Sequence, residues 1–452
     1  LFLRIVCDPS LFTEHFYSLH CWDALILSFL ATGVFIIYQD REPQYYESLT
    51  QETDLNTWIY ENWLQPYQIA YDTKKLSSKK EKEQRKKQRQ DWTDSSSVIM
   101  EELSQRLSLN HLIEEYLEGI EELIIIPHGY LHNIPFAALP ISDTEYLNDR
   151  FRIRHAPSCQ ILKFCQDRTP VTDISYGTVE DADGSLAGAR LEGQKVAQLF
   201  DISSENRLVG KEQSTVNHYR RLVRQVQGLH SAHHAISRLD NPLESALNLA
   251  DGNITLGELL LWRLEDLDEV FLSCCESNLA IAEPTDDFLT LASGFLCAGA
   301  RGVVSSLWVA NDLSSILLST FYYQLRKEGK SRSAALQQAQ QKLRRLTGEE
   351  LSKLFRSDLK PYKDLKKQEL ERKFKQSNKK RINAQKELEK LKTISSGEED
   401  LKYWEKEKTR WQKIAKEHRQ GMNNLEEVLG CKEEFPFANP YYWAVFICSG
   451  LA

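Results

Sequence analysis

The chain contains no CxxC pair, although it has nine cysteines in 452 residues. That absence argues against a zinc site. Cys21, Cys165, Cys297 and Cys448 lie inside apolar runs rather than in loops, so the cysteines are not a disulfide framework either. Reduced thiols in a cytosolic compartment are the expectation. Long apolar runs are missing too. The longest, ALILSFLATGVFIIY at 24–38, spans 15 residues, short of the roughly 20 that a spanning helix needs. Its central Thr-Gly between β-favouring residues predicts a hairpin. No secretory signal is legible, and no membrane association is expected. An excess of positive charge is also absent: the formal charge is −8, which gives no global basic field for nucleic acid. The chain begins at Leu1 rather than Met, so a fragment or a processed form is expected. What is present is 41% apolar residues, enough for a sizeable core in two or three domains.

Residues 22–50 read as a β-meander and 54–72 as an aromatic helix. A polar, mostly basic run at 74–90 reads as a solvated helix or linker, followed by a helix at 97–118. From 121 the pattern changes. ELIIIP (122–127) is a continuous apolar run of the kind buried on both faces of a parallel sheet. Further strands are expected in RFRIRHAPS (150–158), GLHSAHHA (228–235), DEVFLSCC (268–275) and GVVSSLWV (302–309). Helices are expected over 189–200, 215–227, 288–300, 313–329 and 331–346. Alternating strands and helices predict an α/β fold with a mostly parallel sheet flanked by helices. Residues 350–432 instead give two long, highly charged helices around TISSGEE, an antiparallel coiled-coil hairpin. FPFANPYYWAVFICSG (435–450) returns to the strand pattern. The expected organisation is a non-catalytic portion at 1–120, an α/β core at 121–349, an inserted hairpin at 350–432 and a last core strand in 433–452.

Two expected strands end in reactive side chains, His233-His234 and Cys274-Cys275. Open α/β sheets bind ligands at the carboxyl ends of their strands. Neighbouring residues on a strand face opposite ways, so at most one cysteine of the pair points into the core. His234 and Cys275 are 41 positions apart, room for one strand–crossover–strand unit. An imidazole beside a thiol draws it toward thiolate and later protonates a leaving amine.

These segments carry a family resemblance. LHSAHHA (229–235) resembles the histidine motif of CHAT proteases, which are caspase-like, and VFLSCCESN (270–278) resembles their cysteine motif. The likeness continues in LIIIPHGYLHNIPFAALP (123–140), AGARGVVSSLWVAND (298–312), AALQQAQQKLR (334–344) and NPYYWAVFICSG (439–450). Within the family, the heterocyst-regulating cyanobacterial members are the narrower likeness. The resemblance implies a caspase-like fold and a cysteine endopeptidase acting on protein substrates without cofactor or metal. By position, His234 matches the catalytic histidine and Cys275 the nucleophile. Cys274 takes the small-residue position before it and reads as core. Backbone amides of Ala235 and Cys275 would hold the oxyanion. Ala235 and Asn278 replace family glycines, which matters only if those sites need φ > 0.

Glu276 has two readings, orienting His234 or the substrate, or resting in solvent at a strand end. Asp286, Asp287 and Asp312 are candidate pocket carboxylates for Arg or Lys before the scissile bond. Their competing roles are helix capping and dipole stabilisation. Trp308 could wall that pocket or belong to the core. His128 and His132 are assigned no chemistry. The hairpin is expected to bind a regulatory or substrate protein. Nucleic acid is not expected there, because acidic residues are interleaved with the lysines. The alternative to a protease is a catalytically silent scaffold that works through the hairpin.

Overall fold

The computed structural model describes residues 24–30, 33–38, 43–47, 52–72, 79–279, 288–393 and 398–451. They form two compact units, one running to Arg345 and resuming at Phe437, the other Leu346–Pro436. The first is organised by one eleven-stranded sheet. Its strands are β1 (Ala24–Leu30), β2 (Gly33–Ile37), β3 (Gln44–Glu47), β4 (Glu122–Ile126), β5 (Arg152–His155), β6 (Tyr176–Glu180), β7 (Arg207–Val209), β8 (Gly228–Ala232), β12 (Glu269–Leu272), β13 (Gly302–Ser306) and β14 (Phe446–Gly450). A separate three-stranded sheet consists of β9 (Ala235–Ile236), β10 (Ala246–Asn248) and β11 (Asn253–Thr255).

The spatial order of the large sheet is β3-β2-β1-β4-β5-β14-β13-β12-β8-β6-β7. Strands β13, β12, β8, β6 and β7 are mutually parallel, as are β1, β4, β5 and β14. The two blocks meet antiparallel at β13–β14. The expected mostly parallel α/β architecture is therefore present, with one reversal at its centre. Because of that reversal, β4 and the strand ends bearing His234 and Cys275 leave the sheet at opposite edges.

The expected meander is β1–β3, with β1 and β2 antiparallel. Several element bounds differ from expectation. The helix predicted over 97–118 is two: Lys79–Arg106, which absorbs most of the basic run, and Leu109–Tyr116. Ser108 between them sits at φ +48°, a left-handed residue that ends helical propagation. The helix expected over 215–227 covers only Val216–Leu222. Strands β6, β7 and the small sheet were not anticipated.

Alternation along β8, β12 and β13 sends Leu229, Val270, Leu272 and Val303 to one face. There they pack with Leu222, Leu256, Leu259 and Phe295 from the helices of that side. On the other face Phe271 meets Tyr322 and Tyr323 of the Asp312–Lys327 helix. The Ala187–Leu199 helix packs on this face as well. Gly193 makes its approach possible: a Cβ there would lie 2.3 Å from Glu180 Cγ.

The second unit lies in sequence between the Arg332–Arg344 helix and β14. Its helices Lys360–Thr393 and Glu398–Asn423 are antiparallel, since Ser377 meets His418 and Lys380 lies over Trp411. Ser377, Ala384, Leu388 and Ala415 form the buried seam.

Candidate active site

β8 and β12 are adjacent and parallel, and every residue pair in their register is separated by 41 positions. That is also the separation of His234 from Cys275. Both residues lie just beyond their strands, so the two strands deliver them to neighbouring places on one edge. Cys274 turns inward, 1% exposed, with its thiol donating to Ser231 O at 3.2 Å. Cys275 is half-buried. The adjacent thiols thus differ in exposure, Cys274 in the core and Cys275 partly open.

The histidines divide similarly. His233 is 2% exposed, bonded through Nε2 to Ser231 Oγ at 2.8 Å and through Nδ1 to His234 O at 2.9 Å. Burial pushes it down to about 4, so it is a neutral core residue. The His234 side chain is 44% exposed. Its Nε2 lies 2.9 Å from Ser185 Oγ and 4.0 Å from Asp183 Oδ2. Donor counting fixes its tautomer. The single hydroxyl proton of Ser185 goes to Asp183 Oδ1 at 2.7 Å, so the hydroxyl must accept from His234 Nε2–H. Partial burial works against ionisation of Asp183, but its bonds from Ser185 and the nearby imidazole hold the carboxyl low. The neutral ring therefore carries its proton on Nε2 and leaves Nδ1 as the basic nitrogen.

Asp183 and Ser185 come from the turn after β6, which pairs with β8. Asp181, at φ +53°, starts that turn; its N–H bonds to Ala232 O at 2.9 Å and its Oδ1 accepts Leu186 N–H at 2.7 Å. Sequence reasoning missed this chain because it passed over the strand YGTVE. The available signal was DADGS (181–185) at the end of that strand.

The Cys275 thiol is pushed up to about 11, first by burial and then by the charges of Glu276 and Asp312, while the Ala310 backbone N–H pulls the other way. It is protonated at neutral pH. Among the described residues no hydrogen bond joins it to His234. Ala235 is paired with Leu247, one step from the Asn248 N–H bond to His234 O at 3.0 Å. In the alternating ladder that is a non-hydrogen-bonded position, so Ala235 N–H points away from β10. Neither Ala235 nor Asn278 has positive φ, so neither position requires glycine.

Glu276 does not rest free in solvent, and among the described residues no hydrogen bond joins it to His234. It stands at φ +58°, and its Oε1 accepts from Tyr67 Oη at 2.5 Å. Asp312 is exposed, and its charge is close enough to act on both Cys275 and Glu192. It is not the helix cap: Asn311 Oδ1 accepts from Leu313 and Ser314 N–H at 3.0 and 3.1 Å. Asp286 and Asp287 lie outside the described residues. Trp308 is core, 2% exposed and edge-on to Trp63 and Trp92. Among the described residues no cluster of His, Cys, Asp and Glu could hold a metal ion, and no helix is long and apolar enough to cross a membrane.

Glu192 lies behind the cysteine strand, 3% exposed, and accepts from Ser273 Oγ at 3.0 Å. Burial raises it from 4.5 to about 7 despite the serine bonds. A carboxyl raised in the folded state contributes stability that is complete below its unfolded value near 4.5. That stability is lost as pH rises through about 7. Glu192→Gln should remove this loss, so that the variant gains on wild type by on the order of 3 kcal/mol between pH ~4.5 and ~8. Urea denaturation across that range checks it; parallel pH curves for the two proteins would refute the assignment.

The sheet, with its thiol and imidazole on adjacent strand ends, has the caspase-like α/β architecture. The CHAT domain family matches residues 98–451, and the chain belongs to that family. No curated protein is detectably similar in sequence, and nothing singles out the cyanobacterial subgroup. Among solved structures, the Saccharomyces cerevisiae separase–securin complex is similar at TM-score 0.50 and 10% identity, over 70% of this chain and 29% of that one. The Arg-specific cysteine proteinase gingipain R matches at TM-score 0.38 and 9% identity, over 52% of this chain and 62% of that one. At 10% identity the likeness to separase is one of fold. The chain spans about three tenths of the separase chain.

Proposed function

We propose that the chain is a cysteine endopeptidase in which Cys275 is the nucleophile and His234 the general base and acid. The observation that carries this reading is the shared 41-residue register, together with an imidazole held through Nε2 and with no partner at Nδ1 among the described residues. The Cys275 S–H proton passes to Nδ1, and the thiolate adds to the scissile carbonyl. The N–H groups of Ala235 and Cys275 stabilise the oxyanion. The C–N bond breaks as His234 returns the proton to the leaving amine, and water then hydrolyses the thioester. With the thiol near 11 at rest, substrate binding has to bring sulfur and imidazole together; such bonds often tighten only in the complex. The high resting thiol also favours the second reading, a catalytically silent scaffold.

Carboxylates flank the thiol and imidazole at Asp312 and Asp183, and Asp286 and Asp287 follow the cysteine loop in sequence. Together they favour Arg or Lys before the scissile bond. Glu276 is committed to Tyr67. A peptide-library cleavage profile, with Cys275→Ala as blank, tests both statements. A basic preference at that position is expected. A preference for acidic residues would overturn the pocket, and the absence of Cys275-dependent cleavage would leave the scaffold.

The hairpin has the character of a protein-binding arm. Lys360–Thr393 contains eleven lysines and two arginines against five acidic residues. The interleaving seen in sequence separates on the helix. Arg372, Lys375, Lys379, Ile382, Lys386 and Lys390 recur at three- and four-residue steps, opposite the Ser377–Ala384–Leu388 seam, and all are exposed. This stripe contains no acidic residue and spans about 27 Å. It suits an acidic protein segment with an apolar side chain for Ile382. A long nucleic acid would also meet the field of a chain whose overall charge is −8. Charge reversal at Arg372, Lys379 and Lys386 should weaken binding of a Glu-rich, leucine-containing peptide at least ~10-fold, salt-dependently. Fluorescence anisotropy measures this, and tighter binding of a DNA duplex than of the peptide would reverse the assignment.

A further inference from the structure

Tyr67 lies on the Gln65–Tyr71 helix, 209 residues before Glu276 in sequence, and is 3% exposed. Its hydroxyl has one proton and uses it to donate to Glu276 Oε1 at 2.5 Å. It therefore receives the Val309 N–H, 3.1 Å away, on a lone pair. The two partners belong to different loops. Glu276 directly follows Cys275 and stands at φ +58°, a conformation that a non-glycine residue keeps only when its surroundings impose it. Val309 precedes Ala310, whose N–H acts on the Cys275 sulfur. The Val309 carbonyl in turn accepts from Tyr441 Oη at 3.3 Å. The ring of Tyr67 is held independently of its hydroxyl, stacked on Tyr71 at 4.7 Å and tilted on Trp92 at 5.0 Å. Burial and the Glu276 charge keep its proton on.

We propose that Tyr67 is a positioning residue that pins the two loops flanking Cys275, fixing the thiol between the Glu276 turn and the Ala310 N–H. The assignment rests on Cys275 being the nucleophile. Through those two loops it gives the helices before the sheet core a hold on the reacting sulfur.

Tyr67→Phe tests this, since the ring and its stacking remain. With the best substrate from the library, kcat is expected to fall at least ~10-fold while KM stays within about twofold, because a displaced nucleophile affects the chemical step rather than binding. Alkylation of Cys275 by iodoacetamide at pH 7.5, read on its own peptide by mass spectrometry, is expected to speed up about threefold or more as the released loop admits solvent. Slower turnover with a faster-reacting sulfur separates displacement from a general loss of fold, which would lower bound substrate as well. Tyr67→Phe with kcat and alkylation both within twofold of wild type would overturn the proposal. If the wild type cleaves nothing that Cys275→Ala does not, the protease reading fails, and the alkylation rates alone still decide whether Tyr67 holds the sulfur.

Discussion

Cys275→Ala is expected to lower kcat/KM by about four orders of magnitude or more, because no other group can form the thioester and the residual rate is that of bound water. His234→Ala should cost about 10³-fold, within the range of general acid–base catalysis. The thiol is near 11 at rest, and the variant lacks the base that the proposed mechanism gives it. Asp183→Asn should cost less than either, about 10-fold, because it acts by holding Ser185 as an acceptor for Nε2–H and so fixing the tautomer. The order Cys275 > His234 > Asp183 is the signature, measured on one peptide by initial rates. If Cys275→Ala retains a tenth of the activity while Cys274→Ala does not, the two thiols have been assigned the wrong way round.

What the sequence made legible was local or periodic. ELIII announced β4 because four consecutive apolar residues, Leu123–Ile126, suit a strand covered on both faces, and all four are buried with Glu122 beside them. The separation of His234 from Cys275 is legible in sequence as room for one crossover unit; that it equals the register of β8 and β12 appears only in their parallel pairing. Other features had no local trace. YGTVE carries glycine, threonine and glutamate where a buried strand is expected to be aliphatic. Its Glu180 is buried on the ion pair with Arg207, 2.8 Å away, a partner 27 residues on. With β6 unread, Asp183 and Ser185 could not be placed beside His234. The reversal at β13–β14 was equally hidden, since composition does not encode a strand's direction relative to its neighbour. Glu276 was assigned to the crevice or to solvent because its partner, Tyr67, belongs to a helix 209 residues away.

The largest stability effect is expected at the other end of the cysteine strand. Glu269, the first residue of β12, is fully buried. Its Oε2 accepts from Arg326 at 2.7 Å and from Tyr176 at 3.3 Å, its Oε1 from Tyr322 at 2.7 Å, and Arg332 Nε lies 3.7 Å away. Arg332 also pairs with Asp268, which binds Arg301 at 3.1 Å. Burial alone would neutralise Glu269, but the two guanidinium groups outweigh it and hold the carboxyl below its usual value. Glu269→Gln keeps the volume and removes the charge, leaving Arg326 without its carboxylate in the interior. The expected loss is about 3–5 kcal/mol at pH 7, the cost of breaking a buried pair from one side. The sign with pH follows from the lowered value. The contribution is complete above the unfolded pKa near 4.5 and is lost as pH falls through the folded value, so wild type and variant should converge in acid. Replacing Glu269, Arg326 and Arg332 together by Leu, Met and Met should recover part of the loss, because no uncompensated charge remains on Glu269's side of the network. Urea denaturation at pH 7 and below pH 4 measures all three proteins. A loss under 1 kcal/mol for the single variant would mean that water reaches the cluster. The base of the strand that presents Cys275 would then be held by its apolar neighbours rather than by charge.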